Sequence, residues 1–405
     1  MQTNNPRLKV GVLFGGRSAE HEVSILSARN VLAALDPELF EPVPIAITRE
    51  GRWLLQSPER LLREKGDPRA ANIDPGGMHV TLFERPTNGR LATAQSSDTA
   101  LRVDVIVPVL HGPMGEDGTM QGLLELSGIP YVGAGVLGSA VGMDKDVMKR
   151  LLHQAGIPIA PFVTIRQHDF ARAPQSALLA AERLRYPLFV KPANLGSSVG
   201  ITKVVTHAQL PGALDLAFTY DTKAIVEQAL GSAGQEPEYS ERRSAGGDAG
   251  QEPEYSGRRS AREIECAVLG NDDPVVSIPG EVIVNHVDGF YSYDAKYIDD
   301  GAVLSIPAAL TAQQVREVQR LAVTTFRTLE CSGLARVDFF LQPNGQWFVN
   351  EINTLPGFTA ISMFPKLWAA SGVQPRELIT RLIDLAFARN ATRRALRSVP
   401  SVRHT

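Results

Sequence analysis

The sequence predicts an α/β protein of two to three domains, opened by a doubly wound domain, and three observations carry that expectation. Leu8–Phe14 is an apolar run broken only by Lys9 and ending in Gly15-Gly16, the pattern of a strand buried on both faces that enters a tight turn. Apolar residues at Val23, Leu26, Val31 and Leu35 then recur at roughly helical spacing, and strand candidates follow at Pro42–Thr48 and Val103–Leu110. This alternation is the signature of βαβ units. Finally, the 405 residues exceed the roughly 150 of an ordinary single domain.

The elements that follow divide the rest of the chain. Asp144–Gln154 reads as a helix closed by Gly156 and Pro158. It ends an N-terminal domain at 143 and opens a middle region, 144–230, of short strands and helices. A third region, 262–390, has strands at Ile264–Leu269, Val275–Ile278 and Glu281–Val284, then a helix at Thr311–Glu330. Next comes a hairpin, Leu334–Leu341 with Trp347–Asn353, joined across Pro343-Asn344-Gly345, a strong turn signal. A helix over Pro375–Arg389 completes it. Residues 391–405 are basic without a clear apolar face and are expected to form a frayed tail.

Between the second and third regions lies a segment of another kind. From Gly231 to Arg262 there is no Val, Ile, Leu, Met, Phe or Trp, and AGQEPEYSERRSA at 233–245 returns as AGQEPEYSGRRSA at 249–261. Such a stretch cannot bury enough apolar area to offset its ordering entropy. An in-frame duplication in a disordered surface loop, 231–261, is expected; a docking site built on its two tyrosines is the sharper alternative.

Composition excludes several classes. Hydrophobic residues make up 43% and charged residues 21%, with a net charge of -3, so no global positive field draws the chain to nucleic acid or anionic membrane. No window approaches the roughly 18 apolar residues of a membrane helix, and Met1–Lys9 has no apolar signal core. A cytoplasmic protein with no nucleic-acid or membrane partner is expected. Cys266 and Cys331 are too few for a disulfide framework and read as reduced core thiols.

Five segments carry chemistry. Strand period puts Arg336 and Asp338 on one face of the hairpin, and Glu351 and Asn353 on one face of its partner. Oxygen ligands without His or Cys suit Mg²⁺; a solvated cross-strand ion pair is the alternative. Lys191 precedes a Gly/Ser loop, Pro192–Gly200, able to fold over phosphates or to serve as a plain hairpin turn. It is no Walker A loop, in which the lysine follows the glycines. Glu227 ends a short strand at Ala224–Val226, where one carboxylate and the strand end suit an adenine and ribose edge. Lys296 lies in the polar-aromatic loop Tyr291–Tyr297, available to a phosphate. His111 opens His111–Thr119 at the C-terminal end of an apolar strand, where α/β domains usually bind ligands.

Taken in order, these segments resemble the D-alanine–D-alanine ligases of the ATP-grasp superfamily. The blocks are GGRSAEHEVS (15–24), HGPMGEDGTMQG (111–122), MDK (143–145), VKPANLGSSVG (190–200), YDAKY (293–297), ARVDFF (335–340) and NEINTLPGFT (350–359). The resemblance covers nearly the whole chain except the repeat and the tails. It implies an ATP-grasp fold behind a Rossmann-like N-terminal domain. By the same resemblance Lys145, Lys191, Glu227, Leu230, Glu263 and Lys296 match ATP-binding positions, and Asp338, Glu351 and Asn353 match ligands of two Mg²⁺ ions, with Mn²⁺ as a substitute. Glu20 matches the acid that binds the first D-alanine's ammonium, with Ser197 and Tyr297 as hydrogen-bonding partners. His111, Arg336 and Gly357 match substrate and oxyanion positions, and Ser362 and Met363 the site of the second D-alanine's carboxylate.

The implied activity is ATP-dependent ligation of two D-alanines through an acyl phosphate, for peptidoglycan precursors, by a homodimer. Sister ligases that add D-lactate or D-serine compete with this reading. Tyr297 argues against D-lactate, and D-serine turns on the pocket near Met363. A nucleotide-binding regulator without turnover is disfavoured, because every metal-ligand and arginine position holds a competent residue. The one departure is the repeat, which separates Gln228-Ala-Leu230 from Glu263. Loop-closure entropy grows only logarithmically, so an insert of this length costs on the order of 1–2 kcal/mol and is expected to be tolerated.

Overall fold

The leading apolar run folds as the strand Leu8–Gly15 in a computed structural model that describes residues 6–63, 72–82, 90–93, 96–196, 199–230, 261–284 and 302–396. This strand pairs in parallel with Phe40–Ile47 on one side and Val105–Pro108 on the other. Both of its faces are covered, which is why the run is continuous from Val10 on. Val10, Val12 and Phe14 pack against Ile25, Ala28 and Val31 of the helix His21–Ala34, and against Leu378 and Leu382 near the C-terminus. Leu13 and Ile106 pack on the other face against Met120 and Leu124 of the helix Thr119–Ser127. Burying each such side chain contributes about 1.5–3 kcal/mol. The parallel part stops at three strands, because Trp53–Leu55, Met78–Leu82, Arg90–Thr93 and Ser96–Arg102 extend the sheet as an antiparallel meander. That meander is absent from the sequence expectation; its strands are short and lie among Gly, Pro and charged residues.

The middle sheet is antiparallel throughout, in the order Thr202–Val204, Leu188–Pro192, Lys223–Gln228, Phe162–Arg166. Leu188, Val190, Ala224 and Val226 face the helices Pro174–Ala181 and Leu210–Phe218. The two-residue strand period therefore turns Lys191 and Glu227 to the opposite face. The third sheet runs Ala302–Ser305, Gly280–Val284, Arg262–Gly270, Gly333–Leu341, Trp347–Asn353, with Val275–Val276 on a side branch. One face takes the helices Lys145–Gln154 and Ala312–Thr328, through Met148, Leu152, Val318 and Phe326. The other takes Met363–Ala370 and Pro375–Ala395. Asp144 starts the helix Lys145–Gln154 by accepting the N–H groups of Asp146 and Val147 at 3.1 and 3.0 Å, a standard N-cap.

The C-terminal helix corrects one expectation. It continues past Arg389 to Ala395, because arginines rather than apolar residues anchor its end. Arg389 donates to the carbonyls of Gly133 and Tyr131 (2.8 Å for Tyr131) and to Ser332 Oγ at 2.9 Å, with its guanidinium 4.3 Å from the centre of the Tyr131 ring. Arg393 pairs with Glu125, and Arg394 donates to the Gly128 carbonyl at 3.0 Å. Cys266 and Cys331 are buried free thiols, and burial pushes Cys331 up to about 12. Among the described residues no helix is long and apolar enough to cross a membrane. The repeat lies outside the described residues except for Ala261.

Candidate active site

The hairpin sets the first corner of the site. Its register places Asp338 opposite Glu351 and Arg336 opposite Asn353, as strand period requires. A bulge follows, since Phe339 pairs with Val349 and Asn350 is the extra residue; bulges of this kind re-aim neighbouring side chains. Arg336 grips Asp338 with two hydrogen bonds of 2.7 Å, and its Nε lies 2.9 Å from Glu265 Oε2 on the adjacent strand. Asn353 Nδ2 donates to Asp338 Oδ2 at 3.0 Å. Burial alone would lower the Arg336 pKa, but Asp338 and Glu265 raise it well above the ordinary arginine value.

Among the described residues no group of three His, Cys, Asp or Glu could enclose a metal. The hairpin instead offers two carboxylates and one carboxamide. That hard, incomplete donor set fits Mg²⁺, which keeps waters and substrate phosphates in its remaining positions.

Lysines line the second corner. Lys145 Nζ donates to the Leu195 carbonyl at 2.7 Å and lies 3.5 Å from Glu351 Oε2. It thus bridges the Gly/Ser loop of the middle sheet and the carboxylates of the third. Lys191 Nζ donates to Glu227 Oε2 at 2.6 Å, and Lys149 binds Oε1 of the same carboxylate. Burial would raise Glu227, yet Lys149 and Lys191 bring it down to about 2. Burial likewise opposes the charge on Lys191, and Glu227 more than restores it. Leu230 borders the repeat two residues after this strand. Glu263, opposite Val282 and Phe340 on the neighbouring sheet, adds its field at Lys191.

The third corner belongs to the N-terminal domain. Glu20 Oε2 would lie 3.5 Å from a side chain at either Gly112 or Gly196, so this carboxylate sits where the His111 corner meets the Gly/Ser loop. His111 is buried, 3.4 Å from Ser27 Oγ and 3.7 Å from Glu116 Oε1. Burial disfavours its imidazolium, but Glu116 and Glu20 outweigh that and raise its pKa. Ser27 Oγ also accepts from the Phe358 N–H at 3.2 Å, and Asn30 donates to the Phe358 carbonyl at 2.8 Å. The loop carrying Gly357 is therefore moored to the first helix. A Cβ on Gly357 would come within 2.8 Å of Ser362 Oγ, so only glycine fits without a shift. Ser362 Oγ accepts from Thr359 N at 3.0 Å. The Met363 side chain is packed in the core beside Gly280, and the residue opens the helix Met363–Ala370.

The structure thus gathers Glu20, His111, Lys145, Lys191, Glu227, Arg336, Asp338, Glu351, Asn353, Gly357 and Ser362 around three corners. Ser197, Lys296 and Tyr297 lie outside the described residues. Sequence reasoning missed Lys149, Glu265, Glu116 and Ser27. Lys149 had a signal, standing one helical turn after Lys145; Glu265 had one too, two residues after Glu263 on the same strand face. Ser27 had none.

Three sheets meeting at a basic, carboxylate-lined site define an ATP-grasp protein with a Rossmann-like N-terminal domain. Family models agree: residues 9–134 match the D-ala D-ala ligase N-terminus, and 151–240 with 256–384 match the D-ala D-ala ligase C-terminus. The chain belongs to the D-alanine–D-alanine ligase family. The gap at 241–255 in the second match falls inside the tandem repeat. D-alanine–D-alanine ligase A of Chromobacterium violaceum is 46% identical over 391 residues, covering 96% of this chain and 98% of its own. The Escherichia coli K12 ligase A is 44% identical over 396 residues, covering 97% and 99%. Among solved structures, the Coxiella burnetii D-alanine-D-alanine ligase superposes with a TM-score of 0.78 at 35% identity, covering 96% and 97%. The VanG D-Ala:D-Ser ligase of Enterococcus faecalis gives 0.77 at 34%, covering 94% and 99%.

Proposed function

We propose that this chain joins two D-alanines into D-alanyl-D-alanine for peptidoglycan precursors, converting ATP to ADP and phosphate. The observation that carries the reading is Lys145, whose ammonium reaches both the Gly/Ser loop and Glu351. A polyphosphate held there would lie between the Gly/Ser loop, with Lys145 and Lys191 at its base, and the Asp338–Glu351–Asn353 donor set. Lys145, Lys191 and Lys296 neutralise the phosphates, while Glu227, Leu230 and Glu263 border the adenine and ribose. Asp338, Glu351 and Asn353 would hold two Mg²⁺ ions, or Mn²⁺, which supply charge neutralisation along the phosphates.

Glu20 takes the ammonium of the first D-alanine, with Ser197 and Tyr297 as its partners. A carboxylate oxygen of that D-alanine bonds to the γ-phosphorus as the bond to the β-bridging oxygen breaks, giving an acyl phosphate and ADP. The free amine of a second D-alanine, its carboxylate at Ser362 and the Met363 N–H, then attacks the acyl carbon. The C–N bond forms, the C–O bond to the phosphoryl group breaks, and the departing phosphate carries off the proton that the nitrogen loses. Arg336, held rigid by two carboxylates, and the Gly357 N–H stabilise the oxyanion beside His111. The protein's share is positioning and preorganised charge rather than covalent chemistry.

Identities of 43–46% with D-alanine ligases favour D-alanine at the second position; the D-Ala:D-Ser ligase is 34% identical, but its TM-score of 0.77 stands level with the 0.78 of the Coxiella burnetii D-alanine ligase, which makes D-serine the second reading. Exposed Leu123, Leu126, Val136 and Leu137 on neighbouring helices supply an apolar face for a homodimer. Carboxylate-labelled [¹⁸O]D-alanine tests the mechanism. One ¹⁸O should appear in each phosphate released, and unlabelled phosphate would exclude the acyl phosphate.

A further inference from the structure

Lys149 has no part in the mechanism above, yet its side chain is only 1% exposed, a rare setting for lysine. It lies one helical turn beyond Lys145, with its ammonium on Glu227 Oε1 and 5.8 Å from the centre of the Phe162 ring. Lys191 occupies the other oxygen of the same carboxylate. Two cations therefore share one buried anion, and they differ in access. The Lys191 side chain is 12% exposed, and its strand leads directly into the Gly/Ser loop. A phosphate arriving there competes with Glu227 for Lys191. With Lys191 as its sole partner, Glu227 would be left as an unpaired buried charge each time nucleotide bound, which is strongly unfavourable.

We propose that Lys149 is a positioning residue for nucleotide binding: it is the resident counter-ion that keeps Glu227 paired while Lys191 turns to the nucleotide. The inference rests on the ATP reading given above. Glu227 stays ionised far below neutral pH, so its oxygens act only as acceptors, and their orientation is fixed by whichever lysine remains. Burial holds the Lys149 ammonium below the ordinary lysine range; Glu227 opposes that shift and Lys191 adds to it. Two lysines crowding one carboxylate is the arrangement from which one is readily released.

Calorimetric titration of the full-length protein with ATP and Mg²⁺ tests this, using the parent, K149M, E227Q and the K149M/E227Q double variant. K149M should bind ATP at least tenfold more weakly, while kcat at saturating ATP and KM for D-alanine move less than threefold. The double variant should bind within threefold of E227Q, because Lys149 acts only through Glu227. A loss below tenfold in K149M overturns the proposal. So does a double variant more than threefold weaker than E227Q, which would give Lys149 a direct role. Should K149M fail to fold, the E227Q comparison decides the question, since the double variant leaves only Lys191, which still has the fields of Glu351 and Glu263 and the nucleotide itself. A folded parent that does not bind ATP would overturn the ATP reading itself, a result distinct from either failure of Lys149.

Discussion

Asp338→Asn separates the chemical role of the hairpin from its structural one. Asp338 accepts two hydrogen bonds from Arg336 and one from Asn353. Removing one partner of a buried ion pair usually costs about 3–5 kcal/mol. Here Arg336 keeps Glu265 at 2.9 Å, and the new amide oxygen still accepts a hydrogen bond. The stability loss should therefore be about 1–2 kcal/mol, a drop of a few degrees in melting temperature. Loss of a metal-binding carboxylate should lower turnover at least 100-fold, about 2.7 kcal/mol of transition-state stabilisation. Glu265→Gln is the control. It removes the other carboxylate on Arg336 with a similar stability loss of about 1–2 kcal/mol, but keeps the Asp338–Glu351–Asn353 set, so turnover should fall less than about tenfold. Coupled ADP release at saturating Mg²⁺, read beside thermal melts, distinguishes the two. A folded Asp338→Asn variant with turnover within threefold of the parent would refute the metal assignment.

Three further outcomes follow from the same structure. Arg389→Ala removes the tie between the C-terminal helix and Tyr131–Gly133, and should destabilise the protein by about 2–4 kcal/mol in denaturant titrations; a change under 0.5 kcal/mol would deny that tie. The raised His111 pKa makes its stabilisation complete below the unfolded value of about 6.5, to be lost as pH climbs through the folded value. Melting temperature should thus fall on the alkaline side of pH 6.5, and Glu116→Gln should flatten that slope; an unchanged slope would contradict the pairing. Deleting residues 234–261 should leave a folded enzyme whose KM for ATP shifts less than about tenfold, ~1.4 kcal/mol, because the repeat offers no apolar anchor. An insoluble or inactive deletion would make the repeat part of the site.

What could be read from the chain alone depended on how local the signal was. The first strand was legible because burial on both faces leaves an uninterrupted apolar run from Val10 to Phe14. The hairpin was legible because Pro343-Asn344-Gly345 marks its turn, with Gly345 at a positive φ of 85°. Strand period alone then set Asp338 with Glu351. The 53–102 meander is hidden because its strands are short and, apart from Met78–Leu82, carry little alternation. The end of the last helix is not legible because its final turns dock through Arg389, Arg393 and Arg394 rather than through an apolar stripe. Lys149 and Glu227 lie 78 residues apart, and only the folded sheet brings them together. The roles given to Glu20, Gly357 and Ser362 came from resemblance, since no spacing rule reports a carboxylate that meets two glycines from distant loops.

The most direct test of the account is phosphate release with D-alanine, L-alanine, D-serine and D-lactate as substrates, with products identified by mass. D-alanine alone should drive ATP-dependent phosphate release and yield D-alanyl-D-alanine, one dipeptide for each phosphate. L-alanine should yield no product, and D-serine or D-lactate paired with D-alanine should compete poorly for the second position. Phosphate release that ignores D-alanine, or a mixed product that outcompetes the D-alanine dipeptide at equal concentrations, would contradict it.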